Sequence, residues 1–193
     1  MKRELIAVVL AIALLASGGW AWAQASQGKK GGTVYDYALT AIDGSPMPLA
    51  DFRGKVILLV NTASFCGFTP QYAGLQKVQQ FYGPRGFTVI GVPSGNFLGQ
   101  EYASNKQISS FCKTKFGINF PLAEKSDVIG PTAIPVYKWA AAELGISNIP
   151  KWNFHKYLIG RDGRLIAAFN TKTDPMDVKV TSAISAAIAR PAS

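Results

Sequence analysis

The sequence predicts one α/β domain, a layered sandwich in which a central mixed β-sheet is flanked by helices. Three observations carry that prediction. Two short segments are continuously apolar and rich in β-branched residues, the stretch between them has helical apolar spacing, and a later apolar pair flanks a tight-turn signal. Residues 55–60 (KVILLV) and 88–92 (TVIGV) read as central, parallel strands buried on both faces. Between them Leu75, Val78, Gln79 and Tyr82 recur at helical spacing, with Thr69 as N-cap, Pro70 at the first helical position and Gly83 as terminator. A second helix is expected over 105–116, with Ile108, Phe111 and Cys112 on one face and Gly117 as its stop, and a third over 132–144. Residues 157–159 and 165–169 form an antiparallel pair about Asp162-Gly163, whose residues favour the positive dihedrals of a tight hairpin turn. Asp174-Pro175 caps a closing helix with Val178, Ile184 and Ile188 on its apolar face. Strands alternating with helices, then a hairpin and a last helix, describe a sandwich of the thioredoxin type.

Composition narrows the function. Of 193 residues 48% are hydrophobic and 16% charged, with only 2 Cys, which excludes a disulfide miniprotein, collagen, a coiled coil and a disordered chain. Twenty Lys plus Arg against 11 Asp plus Glu give a net charge of +9, a weak general attraction for anions. No basic helix with interleaved aromatics, glycine-rich phosphate loop or Ser-His-Asp arrangement is present, so neither nucleic acid nor a cofactor is expected. His155 is the only histidine and reads as an exposed residue at a strand start, and no metal site is expected.

Lys2-Arg3, an apolar run from Leu5 to Ala16, and small residues before Gln24 form a secretory signal pattern. The expected organisation is a signal peptide over 1–23, a flexible polar leader over 24–32 and one domain over 33–193. Cleavage after Ala25 competes closely, and an uncleaved anchor is the third reading. The mature protein is then exported, periplasmic or secreted, with no stable membrane insertion.

Chemistry concentrates in Asn61-Thr62-Ala63-Ser64-Phe65-Cys66-Gly67-Phe68-Thr69-Pro70, between a buried strand and a helix. Such loops at the carboxyl ends of strands display residues at α/β active sites. A cysteine just before a helix amino terminus feels backbone N–H groups and the positive end of the dipole, which favour the reactive thiolate. Burial as a small apolar residue is the competing reading of Cys66. A Cys-x-x-Cys reductase is excluded, since Thr69 stands in the second position.

This loop resembles the Asn-Val-Ala-Ser-Cys-Gly-x-Thr motif of the cysteine-containing glutathione peroxidases, with Thr62 for Val and Phe65 inserted before Cys66. The resemblance continues through Gly91-Val92-Pro93, Phe97, Gly99-Gln100-Glu101, Asn105, Ile108, Gly117, Phe120-Pro121, Gly130-Pro131, Pro135, Tyr137, Lys151-Trp152-Asn153-Phe154, Lys156-Tyr157-Leu158-Ile159, Asp162-Gly163 and Thr173-Asp174-Pro175. It implies a peroxidase in which Cys66 is the peroxidatic residue, with Trp152 and Asn153 hydrogen-bonding to its sulfur. Asn96 stands at the family's glutamine position, one methylene shorter but still a donor. The implied substrates are hydrogen peroxide and organic, including lipid, hydroperoxides.

The thiolate attacks the O–O bond and becomes a sulfenic acid, which a second thiol reduces. Cys112 is the possible internal resolving residue, although it falls one position before the site of plant-type members, a rotation of about 100° on a helix. A buried apolar Cys112 and a permanent disulfide are the competing readings. The implied reductant is glutathione or a thioredoxin-like dithiol protein. Ala168, where animal glutathione-using members carry arginine, leans to the dithiol, while Lys77, Arg85, Lys113 and Lys115 offer charge to an anionic tripeptide. A short segment between Gly130 and Trp152 implies a monomer. A redox sensor or relay, passing oxidation from Cys66 to a partner protein, is the alternative function.

Overall fold

The computed structural model describes residues 31–191, so the expected signal peptide and nearly all of the expected leader lie outside the described residues. Two strands, β3 (Val56–Thr62) and β4 (Phe87–Pro93), pair in parallel and are buried along their whole length, but of the two expected to be central only β3 is interior: β4 lies at the edge of the four-stranded sheet, where a bridge from Gly91 to Leu122 and the covering segments keep it buried. They join an antiparallel pair, β5 (Lys156–Ile159) and β6 (Leu165–Phe169), in the order β4-β3-β5-β6. This is the expected mixed sheet of a thioredoxin-type sandwich. A short hairpin of β1 (Ala38–Thr40) and β2 (Pro46–Pro48) forms a separate two-stranded sheet that the apolar pattern does not announce.

Alternation along β3 divides the core. Val56, Leu58 and Val60 pack with Tyr72, Leu75 and Val78 of α1 (Gln71–Tyr82), Ile108 and Cys112 of α2 (Asn105–Phe116) and Val180 and Ile184 of α4 (Val178–Ala189). Ile57 and Leu59 pack on the other face with Val136, Tyr137 and Trp139 of α3 (Pro135–Leu144). Both faces are covered, as a parallel pair requires.

Several boundaries differ from expectation for identifiable reasons. The parallel strands β3 and β4 run on to Thr62 and Pro93 because polar residues continue the ladder, with the Asn61 N–H donating to the His155 carbonyl and the Ser94 N–H to that of Thr62. The third helix starts at Pro135, since the residue before a proline avoids helical dihedrals and Ile134 is extended at ψ 149°. In the hairpin only Gly163 takes positive φ, at 75°, while Gly160 and Arg164 close the loop. Asp177, not Asp174, caps α4, accepting the Lys179 N–H at 2.8 Å, and Asp174-Pro175 forms the preceding turn. Val178, expected on the apolar face, is therefore exposed at the helix start.

His155 corrects the sequence reading outright: it is buried beneath the sheet end, its ring edge-on to Tyr157 at 4.7 Å. Burial pushes its imidazole down to about 4. Its neighbour Lys156 is wholly buried, and its Nζ donates to the Phe154 carbonyl at 2.7 Å. Burial holds that ammonium down to about 7, against an opposing pull from Asp174.

Between about pH 7 and the ordinary lysine value of 10.5 the unfolded chain binds more protons at Lys156 than the folded chain, so stability rises with pH. His155 has the same sign between about 4 and 6.5. The unfolding free energy of wild type relative to Lys156→Met, measured in urea, is therefore expected to climb from pH 7 toward pH 10; a flat difference would show that Lys156 titrates normally.

Candidate active site

The Cys66 loop is tied by Thr69, not capped by it. Thr69 Oγ1 accepts the Cys66 N–H at 3.0 Å and donates to the Ala63 carbonyl at 2.9 Å, spanning the loop. The helix N-cap is Pro70, whose apolar ring offers no hydrogen-bond acceptor, and α1 is entered through turns from Cys66 onward. One of those turns brings the Phe68 N–H to Cys66 Sγ at 3.4 Å. A backbone amide thus donates to the sulfur, the interaction expected of a helix start but supplied by the turn before it. Cys66 is 7% exposed, between exposed Phe65 and Gly67. The inserted Phe65 stands outward, 54% exposed, with its ring against Tyr102 at 4.4 Å.

The segment 152–155 is held at the end of β3 by one residue. Asn61 Nδ2 donates to the Trp152 carbonyl at 3.1 Å, and its Oδ1 accepts the His155 N–H at 3.1 Å. Its backbone carbonyl takes the Phe154 N–H at 2.6 Å. Phe154 sits at φ 61°, a left-handed conformation that costs an aromatic residue about 1–2 kcal/mol, and it is buried edge-on to Tyr72 at 5.3 Å. The sharp turn it makes sends Trp152 and Asn153 back toward the Cys66 loop. Trp152 is half-buried against both core faces, its indole 5.7 Å from the Phe97 ring. Asn153 is fully buried, and its Nδ2 donates to Gln100 Oε1 at 3.0 Å. The Gln100 carbonyl accepts the Phe65 N–H at 3.0 Å, so a chain of two hydrogen bonds joins Asn153 to the residue before Cys66.

Asn96 is not drawn into this chain. Its Nδ2 donates to Asp127 Oδ1 at 2.8 Å, and its Oδ1 accepts the Val128 N–H at 2.7 Å and bonds Ser94 Oγ at 3.0 Å. A side chain one methylene shorter than glutamine is thus committed to Ser94 and to the segment that follows α2. Asn61 and Gln100 are the two residues that sequence reasoning quoted within motifs without giving them a role. A buried asparagine ending an apolar strand was the available signal for the first, and Gln100 carried none beyond its place after Gly99.

Cys112 is fully buried on α2 and, like Cys66, is free. Burial and the nearby Glu101 push its thiol up to about 11, partly offset by the Tyr72 hydroxyl. Burial likewise raises the Glu101 carboxyl, against the Ser64 hydroxyl and the Tyr102 N–H that favour its charge. The Glu101 Oε2, Ser64 Oγ, Thr62 Oγ1 and Tyr72 OH atoms are all buried and near one another, but none makes a hydrogen bond of good geometry. A polar cluster thus lies inside the core beside Cys112. Lys77, Lys113 and Lys115 are exposed, and Arg85 lies over the Phe81 ring at 4.2 Å.

The family model described as "Glutathione peroxidase" matches residues 34–141. The hydroperoxy fatty acid reductase gpx1 of Synechocystis sp. is 44% identical over 154 residues, covering 76% of this chain and 91% of that protein. The glutathione peroxidase-like peroxiredoxin GPX5 of Chlamydomonas reinhardtii is 41% identical over 143 residues, covering 73% and 88%. The crystal structure of Trgpx in apo form superposes with a TM-score of 0.69 at 34% identity, over 85% of this chain and 100% of the other. The chain belongs to the glutathione peroxidase family and is a thiol-dependent peroxidase.

Proposed function

We propose that Cys66 is the peroxidatic nucleophile of an exported, monomeric peroxidase acting on hydrogen peroxide and organic hydroperoxides. The observation that carries this reading is the Cys66 sulfur under a backbone N–H, in a loop stapled at the carboxyl end of the central strand. The thiolate attacks one peroxide oxygen, the O–O bond breaks, and the leaving oxygen departs as water or an alcohol after taking a proton. Cys66 is left as a sulfenic acid, oxidised by the two electrons the peroxide gains. An incoming thiol displaces water from it to give a mixed disulfide, and a second thiol returns Cys66 to the reduced state. Trp152 and Asn153 act as N–H donors toward the sulfur, the roles their family motif implies.

Exposed Phe65 and Leu98 supply an apolar rim beside the site, which supports organic hydroperoxides as substrates, as the names of the cyanobacterial relatives indicate for those proteins. The reductant is external, glutathione or a thioredoxin-like dithiol. Direct attack by Cys112 requires its thiol to lose a proton inside the core, where burial holds it up to about 11. The amino-terminal apolar pattern supports an exported, periplasmic or secreted location. Among the described residues no helix is long and apolar enough to cross a membrane.

Mass spectrometry after one equivalent of hydrogen peroxide tests the assignment. Cys66→Ser is expected to lose at least about a hundredfold in peroxide consumption. Cys112→Ser is expected to form the same sulfenic acid at the wild-type rate and to turn over with external thiol. An intramolecular disulfide that needs both cysteines would overturn the external-thiol assignment. Asn61→Leu, close in shape, deprives the Trp152 carbonyl and the His155 N–H of partners; at roughly 1–3 kcal/mol for each buried group, a loss of about 2–6 kcal/mol in urea unfolding is expected, together with slowed Cys66 oxidation.

A further inference from the structure

Two amide side chains hang from the loop after β4, and the backbone separates their duties. Asn96 spends its amide on Asp127, Val128 and Ser94, bracing the loop against the segment that follows α2. Leu98 and Gly99 then turn in succession through left-handed conformations, φ 58° and 63°. Leu98 is 79% exposed, so no burial of its side chain compensates for that conformation. Strain of this kind persists where the surroundings fix it, and here the turn delivers Gln100 between the Cys66 loop and Asn153.

We propose that Gln100, rather than Asn96, is the amide of this loop that serves the reactive sulfur, as a positioning residue acting through Asn153; the inference rests on Cys66 as the nucleophile. An asparagine amide presents a donor at one end and an acceptor at the other, and only the donor stabilises a thiolate. Gln100 Oε1 takes one Nδ2 hydrogen of Asn153 at 3.0 Å, which leaves the second hydrogen free and stops the amide from turning its oxygen into that place. Asn153 is fully buried, so bulk water does not substitute for that partner. The Gln100 carbonyl meanwhile holds the Phe65 N–H and sets the height of the loop that carries Cys66. One residue therefore fixes both the sulfur's backbone and the orientation of its amide donor. The withdrawal of Asn96 is tolerated because the function has moved four positions along the loop.

The test uses full-length mature protein with Cys112→Ser as background and compares Gln100→Leu, Asn153→Ala, Asn96→Ala and the paired variants. Two readouts are taken: stopped-flow oxidation of Cys66 by hydrogen peroxide, and its alkylation by iodoacetamide across about pH 5 to 9. Gln100→Leu is expected to slow oxidation about tenfold and to move the alkylation profile to higher pH. Its effect should shrink to less than about twofold when Asn153→Ala is already present, the signature of one residue acting through another. Gln100→Met, nearer in shape, should reproduce the shift should Gln100→Leu fold poorly. The proposal falls in any of three cases: Gln100→Leu matches the background in both readouts, the two losses multiply, or Asn96→Ala is the variant whose effect vanishes beside Asn153→Ala. Failure of Cys66 to react with peroxide in every protein would overturn the peroxidase reading instead, and the alkylation profile would still report on Gln100.

Discussion

The site depends on one asparagine that carries β-sheet pairing beyond the reach of apolar side chains. Asn61, itself fully buried, uses its N–H, its carbonyl and both ends of its side chain on residues 152–155, and its bond to the His155 N–H is buried while that to the Trp152 carbonyl is partly so. Buried backbone groups must find partners, so this residue decides where the segment can lie. Phe154 is held in its left-handed conformation by that pairing and by the Lys156 ammonium on its carbonyl. The strain of the turn and the burial of a lysine are thus offset by contacts converging on one strand end.

Around this clamp the two layers of the sandwich divide their tasks. The face that carries α1, α2 and α4 holds the cysteines and, beside Cys112, the cluster of Ser64, Thr62, Tyr72 and Glu101. The opposite face, closed by α3, is more uniformly apolar and serves as a platform beneath the sheet. Polar groups gather where chemistry is displayed, and the cost of burying them is met by dense packing elsewhere.

Much of the fold was legible because its strongest signals are local. The runs at 55–60 and 88–92 have no polar alternative to a buried strand, and α2 ends where Gly117 takes φ 61°. Cys66, Trp152 and Asn153 are singled out by motif resemblance alone, and Gln100 links Asn153 to the loop that carries Cys66. What escaped depends on partners distant in sequence. Thr69 has the composition of an N-cap, yet the nearer Ala63 carbonyl and Cys66 amide claim its hydroxyl. His155 is polar in sequence but lies behind a clamp no local pattern reveals. Asn96 occupies the expected position and spends its amide on Asp127, a pairing only the folded loop creates.

The contact between Asn61 and Trp152 spans 91 residues of chain, and that separation sets an order of events. Pairings so distant close late, after the local helices and the β3-α1-β4 unit have formed. Until β5 and β6 add to the sheet, Cys66 lacks the neighbours it has in the native state. The proposed site is therefore completed by the last third of the sequence, and a chain still emerging from a ribosome carries the Cys66 loop without the segment 152–155 that closes on it.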